Sequence, residues 1–301
     1  MTNNSGMKIL VAFDGSACAE AMLDDLQRAG LPAQTEVLVL TVAEEWIPAP
    51  PSIGGVETGF LQDELAAQEK SLTLAQQTAQ RVQQSFPGWK VTADVRLGSP
   101  ASEIIAQADA WRPHLIVVGA HGRTALGRFF FGSVSQKVVN EAHCSVRVAR
   151  GRVVSPPDTP ARIIVGVDGS VGAVAAVNEI AARHWPYGGE VRIVNAAWTI
   201  PPVAKAQAVG KILEWAVQEN ERVQKMMDEA AEKLRAAGLQ VSAMVQTAEP
   251  KGLLCSEAES LNADCIFVGA KGMSKLERML TGSISAGVAA RAHCSVEIVR
   301  G

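Results

Sequence analysis

The sequence feature that most constrains the fold is a glycine pattern that occurs twice. The first copy is GAHG at residues 119–122, followed by nine residues and then GSVS at 132–135. The second copy starts at Gly269 and repeats the spacing 150 residues later. Between 119–150 and 269–300, 15 of the 32 aligned positions are identical. Unrelated segments would share only a few, so the chain is best explained as one domain duplicated.

Each glycine pattern lies between a predicted strand and a predicted helix. The run LIVV at 115–118 is typical of a parallel strand buried on both faces, and 136–142 predicts a helix. Ligands of open α/β sheets bind at the carboxyl ends of strands. Glycine lets the backbone approach a phosphate, and the helix N-terminus favours an anion. We expect Ser133 to cap this helix and to offer a hydroxyl to the ligand.

The rest of the chain alternates strands with helices in the same order in both halves. The predicted strands are 7–13, 36–42, 89–96, 115–118 and 145–149, then a strand starting at 163, 191–196, 241–245, 265–268 and 296–299. Such alternation predicts an α/β fold with two tandem open parallel five-stranded sheets, Rossmann-like, with helices on both faces. The predicted domains are 1–152 and 161–301, and the proline-rich stretch 153–160 is the predicted linker.

Composition excludes several classes of function. The net charge of −3 gives no overall attraction to nucleic acid or to membranes. No apolar run approaches the ~20 residues that span a bilayer, and the polar N-terminus lacks a signal-peptide core. We therefore expect a soluble cytoplasmic protein. Five cysteines without CxxC spacing predict neither a zinc site nor a disulfide framework, and no metal site is predicted.

The residues point to a known family once a second motif is added. Each first strand is followed by Asp-Gly-Ser, at Asp14 and again at Asp168. With the two glycine patterns, both halves resemble universal stress protein domains. The chain as a whole resembles a tandem member of the ATP-binding branch. The resemblance implies an adenine nucleotide alpha hydrolase-like fold, and it extends over nearly the whole length.

The resemblance also implies which residues hold the nucleotide. In that branch the glycine loop wraps the ribose and phosphates, an aspartate lies near the nucleoside, and a valine lies beside adenine. Carried over, the first site contains Asp14, Val42, Gly119, Gly122, Gly132, Ser133, Val134 and Ser135. The second contains Asp168, Gly269, Gly272, Gly282, Ser283, Ile284 and Ser285. Ala196 stands where the first half has Val42, which makes the adenine contact smaller.

Two further residues distinguish the sites. His121 in the first pattern and Lys271 in the second are candidate phosphate donors, so the electrostatics of the two sites need not match. A carboxylate near phosphates could also help to hold Mg²⁺ beside ATP. For Asp14 and Asp168, turn or cap chemistry is the alternative explanation.

The resulting prediction is a regulatory stress-response protein that binds ATP, or a related adenine nucleotide, in both domains. A slow ATP hydrolase is one alternative. The sequence contains no Gly-x4-Gly-Lys-Ser/Thr phosphate loop and no evident general base, so no catalytic residue is predicted. A nucleotide-free interaction module is the other.

The resemblance implies an assembly as well. The family uses the last strand of the domain as a pairing edge, here 146–148 and 296–298. We expect the two halves to form an intramolecular pseudo-dimer through these strands. A homodimer of the whole chain is a further candidate.

Overall fold

A computed structural model describes residues 6–43, 57–121, 131–151, 158–197, 209–271 and 281–301. Contacts between Cα atoms divide the chain into two compact units. One contains Met1–Leu26 and Leu31–Gly151, and the other contains Gln27–Gly30 and Arg152–Gly301. Most of the predicted linker lies outside the described residues.

The first unit alternates five strands with four helices. The strands are β1 (Met7–Ala12), β2 (Thr35–Ala43), β3 (Lys90–Leu97), β4 (Leu115–Gly119) and β5 (Ser145–Ala149). The helices are α1 (Ala17–Leu26), α2 (Glu57–Ser85), α3 (Pro100–Trp111) and α4 (Ser133–Glu141). All strand pairs in this unit are parallel, in the order β3-β2-β1-β4-β5.

The second unit repeats this arrangement. Its strands are β6 (Ala161–Gly166), β7 (Gly189–Ala197), β8 (Gln240–Thr247), β9 (Cys265–Gly269) and β10 (Ser295–Val299). Its helices are α5 (Val171–Ala182), α6 (Val209–Ala236), α7 (Pro250–Ser260) and α8 (Ser283–Arg291). The pairs are again parallel, in the order β8-β7-β6-β9-β10. The predicted α/β fold with two parallel five-stranded sheets is therefore confirmed.

Burial explains the apolar runs that predicted the central strands. Ile9, Leu10 and Val11 of β1 and the first three residues of β4 have no exposed surface, because helices cover both faces of each sheet. In the second unit, α5 and α6 pack on one face of β6, β7 and β9 to form a continuous apolar core. Each sheet is thus a rigid platform for the residues that follow its strands.

Local sequence signals set most helix starts, but two expectations were wrong. Pro100 is the first residue of α3, where its missing N–H is not needed. The proline- and glycine-rich stretch 44–59 is expected from its composition to be a loop, but helix α2 already begins at Glu57, within that stretch. The N-cap of α4 is Gly132 rather than Ser133, which is the first helical residue.

Candidate functional site

The candidate site of the first unit lies where the strand order reverses. The central strand β1 pairs with β2 on one side and with β4 on the other, so the chain leaves it in opposite directions. The Phe13 amide donates to the Leu40 carbonyl at 2.9 Å, which holds the turn after β1 beside the end of β2. Three predicted residues therefore lie at one edge of the sheet: Asp14 follows β1, Val42 is the second-last residue of β2, and Gly119 ends β4. A crevice for ligands is expected at such a point.

The aspartate motif forms the same turn in both units. Asp14 Oδ1 accepts from the Ser16 amide at 3.0 Å, and Asp168 Oδ1 accepts from the Ser170 amide at 2.9 Å. The intervening glycine has a φ of +76° in the first unit and +82° in the second, a conformation that favours glycine. One carboxylate oxygen thus serves the turn, and the turn fixes the carboxylate at the carboxyl edge of the sheet.

The serine of this motif caps the helix that follows it. Ser16 Oγ accepts from the Ala19 amide at 3.2 Å, and Ser170 Oγ accepts from the Ala173 amide at 3.1 Å. These bonds satisfy a first-turn amide of α1 and of α5. The serines of the Asp-Gly-Ser motif are therefore structural.

The two ends of each glycine segment, residues 119–132 in the first unit and 269–282 in the second, lie together. In the first unit the Ala120 amide donates to the Ala149 carbonyl at 2.9 Å, and the Gly132 amide donates to the Ala120 carbonyl at 2.8 Å. The second unit repeats both bonds at 2.8 and 2.7 Å, through Ala270. These bonds fix the start and the end of each segment at the sheet edge. Two predicted site residues, Gly122 and Gly272, lie outside the described residues.

The two serines of each Gly-Ser-x-Ser sequence have different environments. Ser135 is buried, and its hydroxyl donates to the Gly119 carbonyl at 2.6 Å. Ser285 makes the same bond to the Gly269 carbonyl at 2.5 Å. Ser133 and Ser283, in contrast, are exposed at the first position of α4 and α8. The outer serines are accessible to a ligand, whereas the inner serines hold the helix to the preceding strand.

The helices that follow the glycine segments begin without a side-chain cap. The N-cap of α4 is Gly132 and that of α8 is Gly282, and neither helix has a side-chain cap hydrogen bond. The second unit's other two helices with a described N-cap, α5 and α7, are capped by Ser170 and Glu249. An uncapped first turn leaves backbone N–H groups and the positive helix dipole available to an anion. Such a helix start can bind a phosphate or another anion.

Close backbone packing distinguishes the two sites. In the second unit, a Cβ on Gly269 would lie 2.3 Å from the Gly172 carbonyl carbon, so these backbones touch. In the first unit, a Cβ on Gly119 would meet Cys18 Sγ at 3.4 Å, which is ordinary contact. Glycine is thus sterically required at the end of β9 but not at the end of β4.

Electrostatics also differ between the sites. A Cβ on Gly169 would lie 2.7 Å from Arg222 Nη1, so the α6 guanidinium lies against the second aspartate turn. Arg222 donates to Glu219 at 2.6 and 2.9 Å. This pairing lowers the pKa of Glu219, and it raises the pKa of Arg222, to which the charge of Asp168 adds. In the first unit, the apolar side chain of Leu74 lies beside Gly15, the equivalent turn glycine.

The remaining predicted residues lie near the same edge. Val42 is 8% exposed and Ala196 is half-buried, each near the end of its strand. His121 and Lys271 are half-buried at the start of their glycine segments. The hydrophobic residues Val134 and Ile284 are half-buried in the first turns of α4 and α8.

Sequence reasoning missed two arginines at this edge, Arg222 and Arg300. The Arg300 guanidinium donates to Thr281 Oγ1 at 2.9 Å, immediately before the N-cap of α8. The signal for Arg300 was present, because Arg150 stands at the equivalent position 150 residues earlier. Arg222 offers no such signal, because it belongs to a charged helix surface.

The histidines that precede the last strands lie at the opposite edge of the sheets. His143 Nδ1 lies 2.9 Å from Asp109 Oδ1, and His293 Nε2 lies 2.7 Å from Glu259 Oε1. Each of these carboxylates belongs to the helix before β4 or β9. These histidines thus link a helix end to the amino end of the last strand and belong to neither candidate site.

No helix within the described ranges has the length and hydropathy needed to cross a membrane.

Comparison with known proteins identifies the family. The model of the universal stress protein family matches residues 7–150 and 160–300. A universal stress protein of Mycolicibacterium smegmatis is 27% identical, over 97% of this chain and 96% of the relative. One from Synechocystis is 30% identical over 48% of this chain and 97% of its own length. The crystal structure of a universal stress protein from Archaeoglobus fulgidus has a TM-score of 0.62 at 21% identity, over 97% of this chain and 96% of that one. The chain therefore belongs to the universal stress protein family and contains two of its domains in tandem.

Proposed function

We propose that each domain binds an adenine nucleotide, ATP being the principal candidate, and that the protein acts as a regulator rather than as a metabolic enzyme. The observation that carries this proposal is the uncapped first turn of α4 and of α8, each behind a glycine N-cap at the point where the strand order reverses. An anion at this place would accept hydrogen bonds from backbone amides and would be stabilised by the helix dipole.

The other predicted residues support a nucleotide rather than a free anion. Apolar Val42 lies near the end of β2, and Asp14 follows the neighbouring strand β1, so both come at the same edge of the sheet. An apolar surface beside a polar group suits a base and its ribose, while the helix N-terminus suits the phosphate tail. The second domain offers Ala196 and Asp168 at the equivalent positions.

A magnesium ion would fit this site only together with phosphates. The described residues contain no group of three or more His, Cys, Asp or Glu side chains that could hold a metal. Mg²⁺ is commonly held by one or two carboxylates with phosphate oxygens completing its shell. Asp14 and Asp168 are the carboxylates that could contribute, each with one oxygen already bonded to the turn.

Equilibrium dialysis tests the proposal directly. We expect two nucleotides per chain, with affinity falling from ATP to ADP, AMP and adenosine as phosphates are removed. ATP at about a hundred times its Kd should stabilise the occupied domain by about 2.7 kcal/mol, which a thermal melt would register. Phosphate release, measured in the same samples, tests the hydrolase alternative. Absence of uptake at millimolar ATP would refute the proposal.

Two substitutions at Ser133 distinguish the contribution of its backbone amide to binding from that of its side chain. Proline is favoured at the first position of a helix, and the extended Gly132 backbone, with φ −64° and ψ 146°, tolerates a following proline. Ser133→Pro therefore deletes one amide N–H and keeps α4, whereas Ser133→Ala deletes only the hydroxyl. We expect the proline variant to lose more ATP affinity at one site than the alanine variant. Equal losses would argue against the amide cradle.

Three further expectations stay predictions. They are the pairing of the two domains through their last strands, a homodimer of the chain, and a cytoplasmic location.

A further inference from the structure

Helix α6 places a positive charge against the aspartate turn of the second domain. A Cβ on Gly169 would lie 2.7 Å from Arg222 Nη1, so this nitrogen approaches the backbone between Asp168 and Ser170. The Arg222 side chain is 43% exposed, so it is accessible to a ligand that binds beside the turn. Arg222 is therefore a candidate for contact with such a ligand.

One part of the guanidinium is fixed within the helix, and another part is available. Nε and Nη2 of Arg222 donate to the two carboxylate oxygens of Glu219, at 2.9 and 2.6 Å. This bidentate pair holds the plane of the guanidinium in one orientation. Among the residues that the structure describes, Nη1 has no hydrogen-bond acceptor, and it keeps two N–H groups.

Asp168 offers the complementary group. Its Oδ1 accepts from the Ser170 amide at 2.9 Å, and its Oδ2 accepts no hydrogen bond from any described residue. The hydrogen bond from Glu219 raises the pKa of Arg222, and the charge of Asp168 raises it further, so Asp168 and Arg222 are near each other. Within the described ranges, however, the carboxylate that forms an ion pair with Arg222 is that of Glu219.

A hydroxyl is the ligand group that suits a nearby donor and acceptor that do not contact each other. It donates one hydrogen bond and accepts another, so it can donate to Asp168 Oδ2 and accept from Arg222 Nη1. A phosphate would be repelled by the Asp168 carboxylate, and a base amino group has no lone pair to offer the guanidinium. The hydroxyls of a nucleotide are those of its ribose.

We infer that Arg222 is a ribose-binding residue of the second site, donating to a hydroxyl that itself donates to Asp168, and that Glu219 is a positioning residue. The inference rests on the nucleotide binding proposed above, and it names ribonucleotides as the ligand class. Asp168 follows β6, and Ala196 is the second-last residue of the neighbouring strand β7. The ribose would thus lie beside the position proposed for the base.

The first domain differs at this point. The Leu74 side chain lies beside Gly15, its Cδ2 atom 3.1 Å from the position of a Cβ on that glycine. Leucine has no donor for a hydroxyl. The second site should consequently discriminate against nucleotides that lack a ribose hydroxyl more strongly than the first site does.

Binding of ATP, 2′-deoxy-ATP and 3′-deoxy-ATP to the full chain tests the inference. One of the two sites should bind at least one of the deoxynucleotides about tenfold more weakly than ATP, the loss typical of a hydrogen bond to a charged group. Arg222→Leu, which imitates the first domain, should weaken ATP binding at that site and reduce its preference for ATP to that of the other site. Lys225→Leu removes the same charge from an exposed position of α6 and should change neither.

Glu219 provides a second test that leaves the arginine in place. Glu219→Ala removes the carboxylate that orients the guanidinium, so it should reduce the preference for ATP over the deoxynucleotide. In the double variant Arg222→Leu/Glu219→Ala, loss of the carboxylate should reduce that preference no further. Glu219→Ala decides the question if Arg222→Leu does not fold.

The outcomes separate this inference from the proposed function. If the unmodified protein takes up no ATP, the proposed function fails. If it binds ATP but both sites bind the deoxynucleotides as tightly as ATP, the assignment of Arg222 is overturned. The same conclusion follows if Arg222→Leu weakens ATP and the deoxynucleotides by the same factor, or if it leaves all three affinities unchanged.

Discussion

Alanine at the two equivalent glycines that end β4 and β9 should have opposite effects on stability. Neither Gly119 nor Gly269 has a positive φ, so alanine is compatible with the backbone at both positions. What differs is the space that a Cβ would enter. At Gly269 it would lie 2.3 Å from the Gly172 carbonyl carbon and 2.7 Å from the Gly172 Cα, which are backbone atoms that cannot rotate away. At Gly119 the nearest atoms are 3.4 Å away.

The magnitudes follow from these distances. Gly269→Ala must separate β9 from the start of α5, and overpacking of this kind costs about 1–3 kcal/mol. Gly119→Ala creates no such overlap, and restricting the unfolded chain should stabilise the domain by about 0.4–1 kcal/mol. For domains of this size, 1 kcal/mol corresponds to a shift of about 2–4 °C in Tm.

Hydrogen exchange measured by mass spectrometry, together with urea unfolding, would assign each effect to its domain. We expect faster exchange at β9 and the start of α5 in Gly269→Ala, and no acceleration at β4 and α1 in Gly119→Ala. The second-site affinity for ATP should also fall, because displacement of β9 would move the carbonyl of residue 269, to which Ser285 donates. Equal destabilisation by the two variants would refute the argument from backbone contact.

Three further predictions concern individual polar groups. Asp25→Ala removes the carboxylate that pairs with the fully buried Arg147, so the free energy of unfolding measured in urea should fall by about 3 kcal/mol. Alanine at the exposed Asp24 is the control and should change that free energy little. The pKa of Glu249 is lowered chiefly by the amide it caps, so its stabilisation of α7 is present above about pH 4.5 and lost as the pH falls through the lower folded value. Glu249→Gln should abolish that acid dependence, and an unchanged dependence of amide exchange in α7 would contradict this. Ser135→Ala removes a buried hydrogen bond to β4 and should lower the urea midpoint by the equivalent of about 1 kcal/mol, and no change would show that the bond contributes nothing.

Local signals in the sequence were sufficient for the fold class, and they placed the candidate residues at strand ends and helix starts. Continuous apolar runs mark strands such as β4, because a strand covered on both faces must be apolar throughout. Glycine and serine mark the turn after β1 and the start of α1, because their backbone and hydroxyl chemistry acts within a few residues. The start of α2 was misplaced, because a helix beginning among turn residues gives no periodic signal.

By itself, the sequence determined that one α/β domain is duplicated, that glycines stand at the ends of β4 and β9, and that the predicted residues lie close to strand ends and helix starts. Only the tertiary structure decided that Ser135 bonds a strand while Ser133 faces outward, that Gly172 touches Gly269, and that Arg300 contacts Thr281. The physical reason is the distance along the sequence over which each signal acts. Composition and periodicity record each residue's own environment, whereas these contacts join residues that the sheet topology brings together from distant parts of the chain.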